Sequence, residues 1–198
     1  MHNPPIKRSE NDRRKAMERS IHHFLLASGV NLEDPHLLET PRRVATAYHE
    51  ELLSGYRMVP EDLFKAFREE VSEQTVMLRD IPFYSLCAHH LLPFFGTASI
   101  AYRPNGRVLG LSKMGRLVDC FARRLQIQER MTCQIADSIN ANLKPKGLVV
   151  LLQAEHMCMS MRGIRHLTTK TVSYVARGEL ESDRDACDRI IKQMLNRA

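Results

Sequence analysis

With 198 residues, 43% of them hydrophobic and 26% charged, the chain suits one globular domain with a sizeable core and a helical appendage. No apolar run approaches a membrane span, the start Met1-His2-Asn3-Pro4-Pro5 lacks the apolar stretch of a secretion signal, and five scattered cysteines do not form a disulfide framework, so a cytoplasmic protein is expected. A net charge of +6 and a pI near 9.2 invite a nucleic-acid reading, but the basic residues interleave with acids and no nucleic-acid motif is present; neither nucleic acid nor membrane is an expected partner.

Residues 1–10 are polar and Pro-bearing and read as a flexible tail. From Asn11 to Ala27 apolar residues recur at Ala16, Ile21, Phe24 and Leu25, which predicts a helix ended by Gly29. Thr40-Pro41 reads as an N-cap followed by Pro, opening a helix to about Ser54-Gly55, and a short helix is expected over Pro60–Arg68. The segment 11–72 is thus expected to be helical, without a strand of any length.

From residue 73 to residue 198 the pattern changes to that of a catalytic domain. Val76-Met77-Leu78 and Ile81-Pro82-Phe83-Tyr84 predict a strand interrupted by a bend, and Thr97–Tyr102 a second strand. Pro104-Asn105-Gly106 is a turn leading to Val108-Leu109-Gly110. Ser112 is the expected cap of a helix whose inner stripe is Leu117, Val118, Phe121 and Ala122. A second helix is expected over Gln128–Leu143, stopped by Lys144-Pro145-Lys146-Gly147. Leu148–Leu152 and Thr168–Val175 read as strands, and Asp183–Leu195 as a closing helix. Helices, two strands, two helices, two strands and a helix make an α+β fold rather than a doubly wound sheet.

Two knots of metal-binding residues punctuate this order. Ser85-Leu86-Cys87-Ala88-His89-His90 carries Cys87 and His90 at the spacing of two ligands on one ion, and His156-Met157-Cys158 follows another apolar run. If the knots meet, Cys87, His90 and Cys158 make three ligands and leave a fourth position for water, the arrangement of a catalytic zinc. His89 and His156 then remain beside the metal as proton carriers. A lone Cys-x-x-His is weak evidence, since buried thiols often serve as small hydrophobes; two knots, each with Cys and His, are stronger. Basic residues without acidic neighbours (Lys113, Arg116, Arg123, Arg124, Arg162, Arg165) flank the knots, as a small polyanionic ligand would require.

Four motifs in this order resemble the GTP cyclohydrolase I family: Cys87-Ala88-His89-His90, Gly110-Leu111-Ser112-Lys113 with Arg116, Arg124 to Arg130, and His156-Met157-Cys158 with Arg162-Gly163. The likeness runs from about Thr40 to Asp183. It implies a zinc enzyme that opens the imidazole ring of GTP to give 7,8-dihydroneopterin triphosphate and formate, the first step of tetrahydrofolate and pterin biosynthesis. It also implies the tunnelling fold, a four-stranded antiparallel sheet backed by two helices, in a decamer of two pentamers with sites shared between subunits. Carried over by position, the zinc ligands are Cys87, His90 and Cys158, and the catalytic imidazoles His89 and His156. The resemblance places guanine recognition at Gln128 and Glu129, and triphosphate contacts at Ser112, Lys113, Arg116, Arg162 and Arg43. Ala88 stands where the family usually has Glu, and His166 where bacterial members often have Asp.

The chemistry suits these residue types. A carboxylate at Glu129 accepts from the N1–H and 2-amino groups of guanine, a pattern that adenine does not offer. Taken alone, Glu129 would read as a helix-start acid, Arg123 and Arg124 as an exposed basic face, and Cys120 and Cys133 as core. Competing functions are a relative on the same fold acting on another purine or pterin, and a non-catalytic, zinc-stabilised nucleotide binder. The second would need no free imidazole at the metal, and the sequence supplies two.

Overall fold

A computed structural model describes residues 9–64, 67–69, 74–163, 165 and 169–196, and the chain divides into two compact units, Met1–Ser54 and Gly55–Ala198. Residues 1–8 of the expected tail, together with His166 and Thr168, lie outside the described residues.

The first unit is helical. Helix α1 (Glu10–Ala27) starts at Ser9, whose hydroxyl oxygen accepts from the Asp12 amide at 3.2 Å, with Glu10 and Asp12 favourably placed in its first turn. Its apolar stripe stays partly in solvent: Phe24 is 66% exposed. Helix α2 (Thr40–Thr46) continues as a π-helical turn over Ala47–Leu52. Glu39, rather than the expected Thr40, holds the N-cap position; Thr40 opens the helix and Pro41 follows, where an N–H would have no intrahelical partner. Ion pairs Arg14–Glu50 (3.2 Å) and His49–Glu10 (3.7 Å) tie α1 to the π-turn.

In the second unit the strands are β1 (Phe67–Glu69), β2 (Val76–Cys87), β3 (Pro93–Arg103), β4 (Arg107–Leu109), β5 (Leu125–Gln126), β6 (Gly147–His156) and β7 (Thr171–Gly178). The fold is α+β, as expected, with one main sheet in the order β5-β2-β3-β6-β7. The sheet has five strands rather than four: the four long ones are antiparallel, and the two-residue β5 pairs parallel with the end of β2. A second correction concerns Pro60–Arg68. Pro60–Phe64 is helical, as a 3₁₀ turn, whereas Phe67 and Arg68 belong to β1, which pairs with β4, so a distant strand partner overrides local propensity.

Helices α3 (Leu111–Ala122) and α4 (Gln128–Leu143) cover one face of the main sheet. Phe83, Phe94, Ile100 and Tyr102 meet Leu117, Phe121, Met131, Ile135 and Ile139 there. The expected stripe of α3 is buried, but its N-cap is Gly110, and Ser112 sits inside the first turn without a capping bond. After β6 comes the single turn α5 (Met157–Ser160), and α6 (Glu179–Ser182) and α7 (Arg184–Leu195) follow β7. Leu180, Ala186, Ile190 and Met194 pack on Ala101, Val149 and Leu151, on the opposite face of the sheet. Because both faces of β6 are covered, it reads as a continuous apolar run. Asp183 caps α7, accepting from the Ala186 amide at 3.0 Å.

The bend expected in β2 is a bulge. Leu78 pairs with Ile100 and Ile81 with Ala98, so one extra residue lies between, and Asp80 adopts a φ of 56°. The extra residue switches the alternation: Val76 and Leu78 before it, and Ile81, Phe83 and Cys87 after it, all face the α3–α4 side.

At the centre of the sheet, Gly96 pairs with Phe83 on one side and Ala154 on the other. A Cβ there would overlap the Gln153 carbonyl oxygen and lie 2.7 Å from the Ala154 Cα, both main-chain atoms that cannot swing away. Gly96→Ala is therefore expected to lower stability by about 1–3 kcal/mol, the usual cost of overpacking. Urea unfolding checks this, with a midpoint equal to that of the parent as the contrary result.

Candidate metal centre and active site

Cys87 is the last residue of β2, and a tight turn brings the next two imidazoles back towards it. The Cys87 carbonyl accepts from the His90 amide (3.3 Å) and the Leu91 amide (2.9 Å), and its own amide donates to Leu92 O (2.8 Å). Leu91 takes the left-handed conformation, φ 57°, which reverses the chain into β3. A bond from the Ala88 amide to Gln126 O (2.9 Å) anchors the turn to β5. In this setting the Cys87 Sγ lies 3.8 Å from His90 Nδ1 and 3.9 Å from His89 Nδ1.

The second knot arrives along β6. His156 ends that strand and Cys158 sits in α5. One ligand atom each from Cys87, His90 and Cys158 lie within 4.8 Å of one another, so the two knots meet as expected. Two thiols and an imidazole suit a borderline-soft divalent ion. The electrostatics agree: burial and the neighbouring Cys87 push the Cys158 thiol above its ordinary range, and a cation between the two sulfurs would reverse that penalty.

His156 lies on the inner face of the sheet, opposite Phe94 in the β3–β6 register, and the two rings stack in parallel at 4.7 Å. Burial lowers its pKa, and the charge of Glu129 acts in the opposite direction. Glu129 is exposed in the first turn of α4 and acts electrostatically on His156, and Arg162 acts electrostatically on Cys158. Gln128 is 1% exposed. Its amide nitrogen meets Leu152 O, Thr171 O and Ser173 Oγ, and its Oε1 lies 2.8 Å from His156 Nε2.

Ser112, Lys113 and Arg116 lie on the first turns of α3, at the positive end of its dipole, where the Lys113 amide donates to Gly110 O (2.8 Å). Among the described residues none of the three makes a hydrogen bond or ion pair with the Cys-His-Cys group. Arg43 is exposed on α2, in the other unit.

Several positions depart from the expectation drawn from sequence. Arg124 is not an exposed cation: it is half-buried, donates to Gly55 O (3.0 Å) and Cys120 O (2.8 Å), and its guanidinium lies 4.9 Å from the Phe121 ring centroid. Its work is to close the C-terminus of α3. Cys120 is buried, as expected, but Cys133 is exposed. Three supporting residues lie outside every motif, and a fourth, Gln126, lies inside one without an assigned role. Phe94 stacks on His156; Thr132 and Ser173 line Gln128; and Gln126 donates from Nε2 to Phe121 O and Gln134 Oε1, both at 2.9 Å. The legible signal was a hydroxyl, Ser173, at an inward position in line with the core-packed Val175.

Comparison with known proteins places the chain. The family model described as GTP cyclohydrolase I matches residues 17–195. The protein named GTP cyclohydrolase 1 of Streptococcus agalactiae serotype Ia is 49% identical over 169 residues, covering 85% of this chain and 90% of that protein. The one of Streptococcus thermophilus strain CNRZ 1066 is 45% identical over 184 residues (92% and 98%), and that of Allorhizobium ampelinum 47% over 186 residues (93% and 92%). With a family model spanning nearly the whole described chain and relatives this similar along almost their full length, the chain belongs to the GTP cyclohydrolase I family.

Proposed function

We propose that the chain catalyses the GTP cyclohydrolase I reaction, in which GTP and water give 7,8-dihydroneopterin triphosphate and formate, at the entry to pterin and tetrahydrofolate synthesis. The observation that carries this reading is the convergence of Cys87, His90 and Cys158 within 4.8 Å, with His89 and His156 beside them, in a member of this family.

Zinc is the ion that the donor set fits best, and bound by these three residues it would supply Lewis-acid activation of water near neutral pH. The chain's own residues do the rest. Glu129 accepts the N1–H and 2-amino hydrogens of guanine and sets the base in place. His156 donates a proton to the imidazole nitrogen of the base as its C8 is attacked, and His89 holds or relays the proton of the water. A general acid–base group of this kind contributes about 10²–10⁴-fold. Ser112, Lys113, Arg116, Arg162 and Arg43 take the triphosphate, with the positive end of the α3 dipole adding to their charge.

The same reading includes the tunnelling fold and a decamer of two pentamers with shared sites. Three features support it. Strand β7 is an edge of the sheet, Tyr84 and Tyr174 are each 57% exposed on strands, and among the described residues Ser112, Lys113 and Arg116 on α3 make no hydrogen bond or ion pair with the Cys-His-Cys group. A neighbouring subunit bringing its α3 or its metal group would complete both. A cytoplasmic location accords with reduced thiols at the metal group; among the described residues no helix is long and apolar enough to cross a membrane.

The direct test is incubation of the purified protein with GTP, reading released formate and the fluorescent pterin formed on oxidation. Absence of both from metal-loaded protein would refute the reading. Cys158→Ser is expected to lose metal and turnover together, by metal analysis and the same assay; full metal content with full activity would remove Cys158 from the ligand set. Glu129→Gln puts an amide donor against a guanine donor, and it is expected to weaken GTP binding by about 1–3 kcal/mol while leaving metal content unchanged. Light scattering is expected to show an assembly of ten 22.8 kDa chains, and a fully active monomer would contradict the shared site.

A further inference from the structure

The ring of His156 is pinned on two sides. Phe94 fixes its plane, with 1° between the rings, and Gln128 Oε1 fixes its edge at 2.8 Å from Nε2. The orientation of that amide follows from its other contacts. Gln128 Nε2 lies 3.2 Å from Leu152 O, 3.1 Å from Thr171 O and 3.0 Å from Ser173 Oγ. Main-chain carbonyls only accept, so the group facing them is the NH₂ and the oxygen is turned to His156. The hydroxyls agree with this. Thr132 donates to the Gln128 main-chain carbonyl at 2.8 Å, so the 2.7 Å contact between Thr132 and Ser173 uses the Ser173 proton. Ser173 keeps a lone pair for the Gln128 N–H. An amide oxygen has no hydrogen to offer, and the hydrogen in its bond with His156 is therefore on Nε2.

We propose that Gln128 is a positioning residue: it holds His156 in the Nε2–H form, leaving Nδ1 as the nitrogen that exchanges protons during the reaction. The site is built for this from four elements, since β3 supplies Phe94, α4 supplies Gln128 and Thr132, β6 supplies His156 and β7 supplies Ser173. With Nε2–H committed to Gln128, Nδ1 accepts a proton and returns it without the ring turning over. Only the kinetic consequence rests on the GTP reading above; the tautomer belongs to the protein without substrate.

The test uses the metal-loaded full chain labelled with ¹⁵N and ¹³C in its histidines, with the His156 signals assigned by their loss in His156→Ala. Ring shifts of the neutral imidazole are expected to show hydrogen on Nε2 in the absence of GTP. Hydrogen on Nδ1 would overturn the proposal whatever the activity. Gln128→Glu keeps an acceptor towards Nε2 and is expected to preserve that form, whereas Gln128→Met removes the acceptor and is expected to give a mixture of both. In the Met variant kcat should fall about 10²-fold while KM for GTP moves by no more than about threefold, as for an interaction that serves the transition state alone. A raised KM with unchanged kcat in both variants would instead make Gln128 a contact of the base and would refute the positioning role. Should Gln128→Met fail to fold, the parent spectrum and the Glu variant still decide. An Nε2–H ring in a protein that releases no formate from GTP would refute the enzymatic reading and leave the positioning role standing.

Discussion

Side chains on a strand alternate between its two faces, and in this molecule both faces of the central strands are covered along much of their length. Register therefore cannot slip by one residue without turning a packed side chain into the wrong layer. The metal centre is a product of that constraint. Phe83, Phe94 and Leu152 are held on the α3–α4 side by the core, and the same alternation carries Cys87 and His156 to that side at the strand ends. The helices fill the middle of this face and leave its end for chemistry. Position in the active site is thus inherited from hydrophobic packing that touches no substrate.

A second constraint is electrostatic. Two thiols and three imidazoles crowd the ends of β2 and β6. Without a cation, burial and the neighbouring Cys87 push the pKa of the Cys158 thiol up. A cation held between these sulfurs would couple metal affinity to fold stability, since it would join the two segments that present them. Hydrogen bonds from the main chain, such as the Ala88 amide to Gln126 O, set the turn in place before any ion arrives.

Much of this was legible in the sequence because its signals are short-range. The bounds of α4 follow from Gln128 and the Lys144-Pro145-Lys146-Gly147 stop, and the two knots announce themselves by spacing of a few residues. What was not legible depends on partners far along the chain. The strand at Phe67–Glu69 exists because Arg107–Leu109 lies beside it, whereas its own residues read equally well as helix. Arg124 looks like any surface cation until the carbonyls of Gly55 and Cys120 are seen within its reach. The hydroxyl relay behind Gln128 joins positions more than 40 residues apart, and a Ser on an inward register position is its only local trace. The caps at Thr40 and Ser112 were misplaced by one or two residues because a neighbouring residue, Glu39 or Gly110, ends the extended chain first.

The bulge at Arg79-Asp80 has a consequence for how such a chain can vary. It acts as a phase shifter: the first half of β2 and the half that ends at Cys87 are two alternating patterns offset by one residue, joined where Asp80 takes a left-handed turn. Removing a single residue there would set Leu78 and Ile81 two positions apart and restore uninterrupted alternation with Cys87 still on its present face, whereas removing one from the regular run between Ile81 and Cys87 would turn Cys87 away from His156 and Cys158. Adding or removing residues in pairs would preserve the phase. Length changes in the half of β2 that ends at Cys87 are therefore filtered by parity, whereas the bulge seven residues upstream of that first ligand can give up its extra residue without turning the ligand over.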